Sequence, residues 1–133
     1  MRSGSAIIVN LVNDTGQSGE PNREAHMATI AVLTTIDSLG QARAIANELV
    51  ERKLAACVQI SPVESVYTWK GSAQTEDEYR LFAKTTDARY MEIEAAIREL
   101  HSYDLPAIYA ISLSQVFEPY ADWVAENSVA GET

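Results

Sequence analysis

Three observations predict an α+β fold of the ferredoxin-like βαββαβ type with a helix added at the C-terminus. Between Thr29 and Leu113 the apolar residues switch twice from strand spacing to helical spacing and back. Both helical stretches begin at a capping residue and return the chain to a β-rich run. The two middle strands are separated only by a turn-forming stretch. This order is the split βαβ pattern, in which each helix returns the chain to an antiparallel sheet and both helices lie on one face.

Thr29–Thr35 is short, β-branched and mostly apolar, so it reads as a buried strand. Ser38-Leu39-Gly40-Gln41 has capping-box spacing and opens a helix, with a stripe of Leu39, Ala42, Ala46, Leu49, Val50 and Lys53. Leu54–Ile60 follows without a spacer as the second strand. Pro62 predicts a bulge or bend, because proline donates nothing to a ladder. Val66–Lys70 continues the strand, Gly71–Gln74 turns it, and Glu78–Thr85 returns. Thr86 or Asp87 caps a second helix with the stripe Tyr90, Ile93, Ile97 and Leu100. A loop over His101–Pro106 leads to a fourth strand, Ala107–Leu113, and Phe117, Tyr120, Trp123 and Val124 make a short terminal helix amphipathic.

At 133 residues one core is expected. Residues 13–25 hold almost no large apolar side chain and cannot offset their ordering entropy. Residues 1–26 therefore read as a flexible lead segment, native or cloning-derived, in which Ile7–Val12 can add a short strand. Residues 27–133 read as the domain, and truncation at Met27 is expected to be tolerated. A net charge of −9 argues against nucleic acid as a partner. The lone Cys57 fits a reducing compartment, hence a cytoplasmic protein, and no apolar run is long enough to span a membrane.

Strand alternation sets Leu54, Ala56, Val58 and Ile60 on one face, and Ala55, Cys57 and Gln59 on the other. In the returning strand Leu81 and Ala83 share the apolar face, while Glu78, Arg80, Phe82 and Lys84 share the opposite one. That second face mixes an aromatic ring, charges and a thiol, which points to contact between copies of the chain.

Lys53–Val58, Ser65–Gly71, Glu78–Thr85, His101–Pro106 and Tyr120–Trp123 resemble, in order and spacing, the signature segments of the CutA family of divalent-cation tolerance proteins. The resemblance spans about Met27 to Asn127. It departs at Ser102, Asp104, Leu105 and Ala107, where the family usually has His-Pro-Tyr-Glu-Val-Pro-Glu, and at Gln59, where it often has Asn. The resemblance implies a homotrimer that pairs extended strands between subunits, binds copper or other divalent cations, and carries no firmly attached enzymatic activity. Its architecture is similar to that of the trimeric PII signalling proteins, so binding of a small anion between subunits is the alternative. Assembly predicts thermal resistance, since contacts made only by the folded chain raise apparent stability.

Cys57, Glu78 and His101 supply thiolate, carboxylate and imidazole, a set suited to an ion softer than magnesium. The resemblance places Cys57 and His101 at positions associated with copper, and Glu78 at a recurrent acidic position nearby. Cu(II) is expected first and Zn(II) second, and Ala107 removes a carboxylate the family often has there. Each residue also has a plain role: Cys57 as a small core thiol, His101 against helix-terminal carbonyls, Glu78 as the ion-pair partner of Arg80 or Lys84. Tyr67, Trp69, Tyr103 and Trp123 read as packing or as a pocket wall between subunits. Lys53 and Lys84 read as snorkelling side chains or as anion ligands in the cleft. The chain has no Gly-rich phosphate loop, Gly-x-Ser-x-Gly elbow or His-Glu-x-x-His helix. A Cys57–His101 catalytic pair is disfavoured, because a sheet-face thiol lacks the helix-terminus field that activates such groups. The chain reads as a non-enzymatic binding protein.

Overall fold

The structure is a computed structural model and describes residues 28–129. The lead segment and the strand expected at Ile7–Val12 lie outside the described residues. The element order is β1 (Thr29–Ile36), α1 (Leu39–Glu51), β2 (Cys57–Trp69), β3 (Ser72–Thr86), a 3₁₀ turn (Asp87–Arg89), α2 (Tyr90–Leu100), β4 (Tyr109–Ser112) and α3 (Glu118–Glu126). The four strands lie in the order β2-β3-β1-β4, and every neighbouring pair is antiparallel. This is the predicted ferredoxin-like sheet.

Ser38 caps α1 as its spacing requires, its hydroxyl accepting the Gln41 N–H at 3.2 Å. The buried ridge of α1 is Ala42, Ile45 and Leu49, all at most 2% exposed. Ile45 was absent from the expected stripe, and Val50, which was in it, is exposed. The helix ends at Glu51. The Leu54 N–H reaches back to the Leu49 carbonyl, the Lys53 N–H to that of Val50, and Lys53 has φ 60°. This is a Schellman ending with lysine where glycine is usual. Lys53 is thus not a stripe residue, and Leu54–Ala56 form a link rather than the start of a strand. A left-handed residue with a Cβ costs roughly 1–2 kcal/mol, part of which glycine returns as unfolded-state entropy. Lys53→Gly is therefore expected to stabilise the fold by about 0.5–1 kcal/mol, read as a rise in the urea midpoint; a fall would show that the lysine side chain matters more than its backbone.

Ile30, Val32, Ile36, Leu81 and Ala83 from the sheet meet Ala42, Ile45, Leu49, Ile93, Ala96 and Ile97 from the two helices in one core. Val58 and Ile60 pack against it as alternation predicts, whereas Ala55, expected on the opposite face, is itself fully buried in the core, because Leu54–Ala56 precede the strand and do not alternate. The opposite face is not wholly open. α3 packs against β3 and β1, burying Val124 completely, and Lys84 Nζ donates to the Tyr120 hydroxyl at 3.3 Å. Of the expected apolar residues of α3, Phe117 and Trp123 remain exposed.

β2 and β3 pair without interruption from Cys57↔Lys84 to Trp69↔Ser72. Pro62 sits opposite Tyr79 inside this register, so the expected bulge is absent. β2 lies at the sheet's edge, where a residue with no N–H is tolerated. The turn is shorter than expected: Lys70 and Gly71, with φ 53° and 82°, form it alone, both in the left-handed region that two-residue hairpins of the I′ type demand. β1 ends at Ile36, opposite Tyr79. Beyond that point residues 63–69 and 72–78 pair only with each other and project as an arm.

Candidate functional site at the base of the hairpin arm

Glu78 is the first β3 residue past the end of β1, and it is 6% exposed. A carboxylate so placed requires a donor. The loop after α2 supplies one: the Tyr103 hydroxyl donates to Glu78 Oε2 at 2.6 Å. His101, the C-cap of α2, fixes that loop. Its Nδ1 accepts the Tyr103 backbone N–H at 3.1 Å, so Nε2 carries the ring proton and donates to the Thr35 carbonyl at 2.8 Å. The His101 and Tyr103 rings meet edge-on at 4.6 Å. Thr35, His101, Tyr103 and Glu78 thus form one chain of contacts where the sheet core ends and the arm begins.

Burial, the bond to Glu78 and the charges of Glu78, Asp37 and Glu76 push the Tyr103 phenol well above its ordinary range. Desolvation and the neighbouring Glu76, Glu78 and Asp37 also raise Tyr67. The base of the arm is therefore an acidic locus bordered by two protonated phenols.

The structure brings Glu78 and His101 together through Tyr103, but it does not bring Cys57 to them. Cys57 begins β2 opposite Lys84, whereas Glu78 lies six positions along β3, opposite Val63. At about 3.3 Å per residue these points are roughly 20 Å apart, beyond the reach of one ion. Both His101 nitrogens are engaged. Among the described residues no three His, Cys, Asp or Glu side chains are grouped so as to hold a metal ion.

The plain alternatives also change. Glu78 pairs with Tyr103 rather than with Arg80 or Lys84, and Lys84 lies 5.4 Å over the Tyr120 ring. Cys57 is a free, half-buried thiol. The role of Tyr103 was missed in the sequence. The one available signal was its place two residues after a helix-capping histidine, and nothing local connects it to a glutamate 25 residues earlier.

No helix among the described residues is long and apolar enough to cross a membrane. The family described as "CutA1 divalent ion tolerance protein" matches residues 30–127. A divalent-cation tolerance protein CutA of Thermus thermophilus is 39% identical over 98 residues, covering 73% of this chain and 95% of that relative. Protein CutA, chloroplastic, of Arabidopsis thaliana is 32% identical over 75% of this chain and 56% of its own length. The solved structure of the periplasmic divalent cation tolerance protein CutA from Archaeoglobus fulgidus superposes with a TM-score of 0.74 at 33% identity, over 76% of this chain and 99% of that one. The matched residues 30–127 take in α1, α2, α3, the arm and nearly all of the sheet, and the chain belongs to the CutA1 divalent ion tolerance family.

Proposed function

We propose that this chain acts as a non-enzymatic, cytoplasmic homotrimer that binds divalent metal ions, copper before zinc, in a tolerance role. The observation that carries this reading is the arm. Among the described residues it is a two-stranded ribbon with no third strand beside it, and Val66 is 71%, Trp69 41% and Tyr67 38% exposed. A free ribbon of this kind is at best marginally stable in water. Seating it on other copies would cover its apolar side chains and its free edges.

The donors divide between the open end of the hairpin, where Cys57 lies, and the base of the arm at its middle, where Glu78 lies beside the loop of His101. Cys57 supplies a soft thiol at the first place, and Glu78 and His101 supply a carboxylate and an imidazole at the second. One protomer alone does not fit the full set. An ion taking a thiol together with an imidazole would have to draw them from different copies. Coordination through His101 Nδ1 would further require the Tyr103 N–H to be released. Both requirements favour modest affinity, and affinity should fall with pH because the thiol and imidazole must be deprotonated to coordinate.

Copper titrated calorimetrically at pH 7.5 is expected to bind the wild type, and to bind His101→Ala and Cys57→Ala about tenfold or more weakly, the usual scale for losing a metal partner. Equal binding by all three proteins, or none by the wild type, sinks the ion assignment while leaving the fold untouched. A second reading, a small anion between subunits, is favoured by Lys84, whose ammonium, among the described residues, meets a neutral hydroxyl and ring. Thermal stabilisation by nucleotides but not by copper would select it.

A further inference from the structure

We propose that the groove between the end of α1 and the flank of α2 binds a small oxyanion, a carboxylate or a phosphate, through Arg89 and Arg52. The groove measures about 380 Å³, within the size range of small-ligand sites. Its apolar lining is Leu54, Ala95 and Ala96, and its charged lining is Arg52, Arg89, Glu92 and Glu99. It lies on the helical side of the molecule, and none of the residues proposed for metal lines it.

Arg89 carries the argument. It is 7% exposed, an unusual place for a guanidinium. Nη1 pairs with Glu92, and Nη2 donates to the Lys53 carbonyl over a long 3.3 Å. Nε is buried and, among the described residues, finds no acceptor. A buried cationic donor without a partner is costly. Nε and Nη2 form one edge of the guanidinium fork, the edge that takes both oxygens of a carboxylate or phosphate. Among the described residues the Nε–H has no acceptor and the adjacent N–H is weakly held, so an oxyanion gains more at this edge than at a satisfied arginine.

Arg52 stands ready as the second cation. It bonds Glu48 at 2.8 Å and Glu99 at 3.5 Å, and its side chain is 38% exposed. The competing carboxylates both reach water: the Glu92 and Glu99 side chains are 59% and 64% exposed. The Arg52–Glu99 pair is exposed on both sides and contributes little, so swinging Glu99 into water costs little; Glu92, whose partner Arg89 is buried, leaves only as a ligand oxyanion takes its place on the guanidinium.

The test is a heteronuclear NMR titration of the full chain at constant ionic strength, with inorganic phosphate in one arm, acetate in a second and chloride as control. Phosphate or acetate, but not chloride, is expected to shift the Leu54, Ala95 and Ala96 amides saturably, and the tighter of the two identifies the source chemistry. Arg52→Gln, at the rim, should weaken binding about tenfold, as loss of a charge-assisted bond implies. Arg89→Lys should do the same, and Arg52→Gln keeps the test valid if that buried substitution fails to fold. Glu92→Gln should tighten binding about threefold or more by removing the carboxylate that competes for the Arg89 guanidinium, a gain that a structural role for these residues does not produce. Shifts scattered over the surface, a chloride response of equal size, or identical midpoints in Arg52→Gln and Glu92→Gln would overturn the proposal. The readout here is an anion titration of Arg52, Arg89 and Glu92 variants, whereas the metal reading is decided by copper binding to His101 and Cys57 variants, so failure here is distinguishable from failure of the metal reading.

Discussion

Val66→Asp is expected to convert the protein to a monomer at micromolar concentration and to lower its melting temperature by roughly 15–30 °C. The size follows from mass action. A contact working at about a thousand times its dissociation constant adds about 4 kcal/mol to the folded state, and each kcal/mol is worth about 4–8 °C in a domain of this size. Val66 is the most exposed large apolar residue of the arm, at 71%, in a ribbon that no third strand among the described residues supports. A carboxylate there is cheap to hydrate in a monomer and costly to bury between copies, so the substitution acts on assembly rather than on the protomer. Light scattering with melting curves at several concentrations measures both effects. A wild type that scatters as a monomer, or a melting temperature independent of concentration, would remove the trimer from the proposed function.

Tyr103→Phe is expected to destabilise the fold by about 1.5–3 kcal/mol at neutral pH, the usual worth of a hydrogen bond to a charged group. The buried Glu78 carboxylate would lose the donor now 2.6 Å from Oε2, while the ring would keep its edge-on contact with His101. The same bond gives the stability a pH signature. Burial first, and then Glu78, raise the Tyr103 phenol above its ordinary value of 10.0. The unfolded chain therefore gives up this proton before the folded one does. The contribution is complete below pH 10 and declines as pH rises toward the folded value, by at most about 1.4 kcal/mol per pH unit. Tyr67 and Tyr90 are raised as well and add slope of the same sign. Urea unfolding from pH 8 to 11.5 should thus show a steeper alkaline loss in the wild type than in Tyr103→Phe. Parallel curves would mean that the Tyr103–Glu78 bond does not form in solution.

Chemistry at the base of the arm was only half legible in the chain. Glu78 and His101 stood out as types of side chain, yet the contacts that define them span 25 and 66 residues. Tyr103 takes both the acceptor that Glu78 offers and the lone pair that His101 offers. That is why two residues selected as ligands emerge as members of a hydrogen-bonded chain. Arg89 was not singled out at all, because nothing in its neighbours announces that the 3₁₀ turn at Asp87–Arg89 will draw a guanidinium into the core.

What the sequence determined by itself is the order of elements and the face each strand buries. Those depend on local rules: β-branched runs at Thr29–Ile36, the Ser38 cap, alternation through Leu81 and Ala83, and a glycine at the hairpin turn. Only the tertiary structure decided the rest. It placed Ile45 rather than Val50 against the sheet, because a one-residue rotation of a helix is invisible in a stripe drawn at mixed spacings. It carried Pro62 through an unbroken ladder, because the strand order puts β2 at an edge. It laid α3 across the second face of the sheet, and it set Cys57 some six positions from Glu78 along one hairpin. Periodicity records which way a side chain points; the distances between elements, and so the partner each polar group finds, follow from how the whole chain closes on its core.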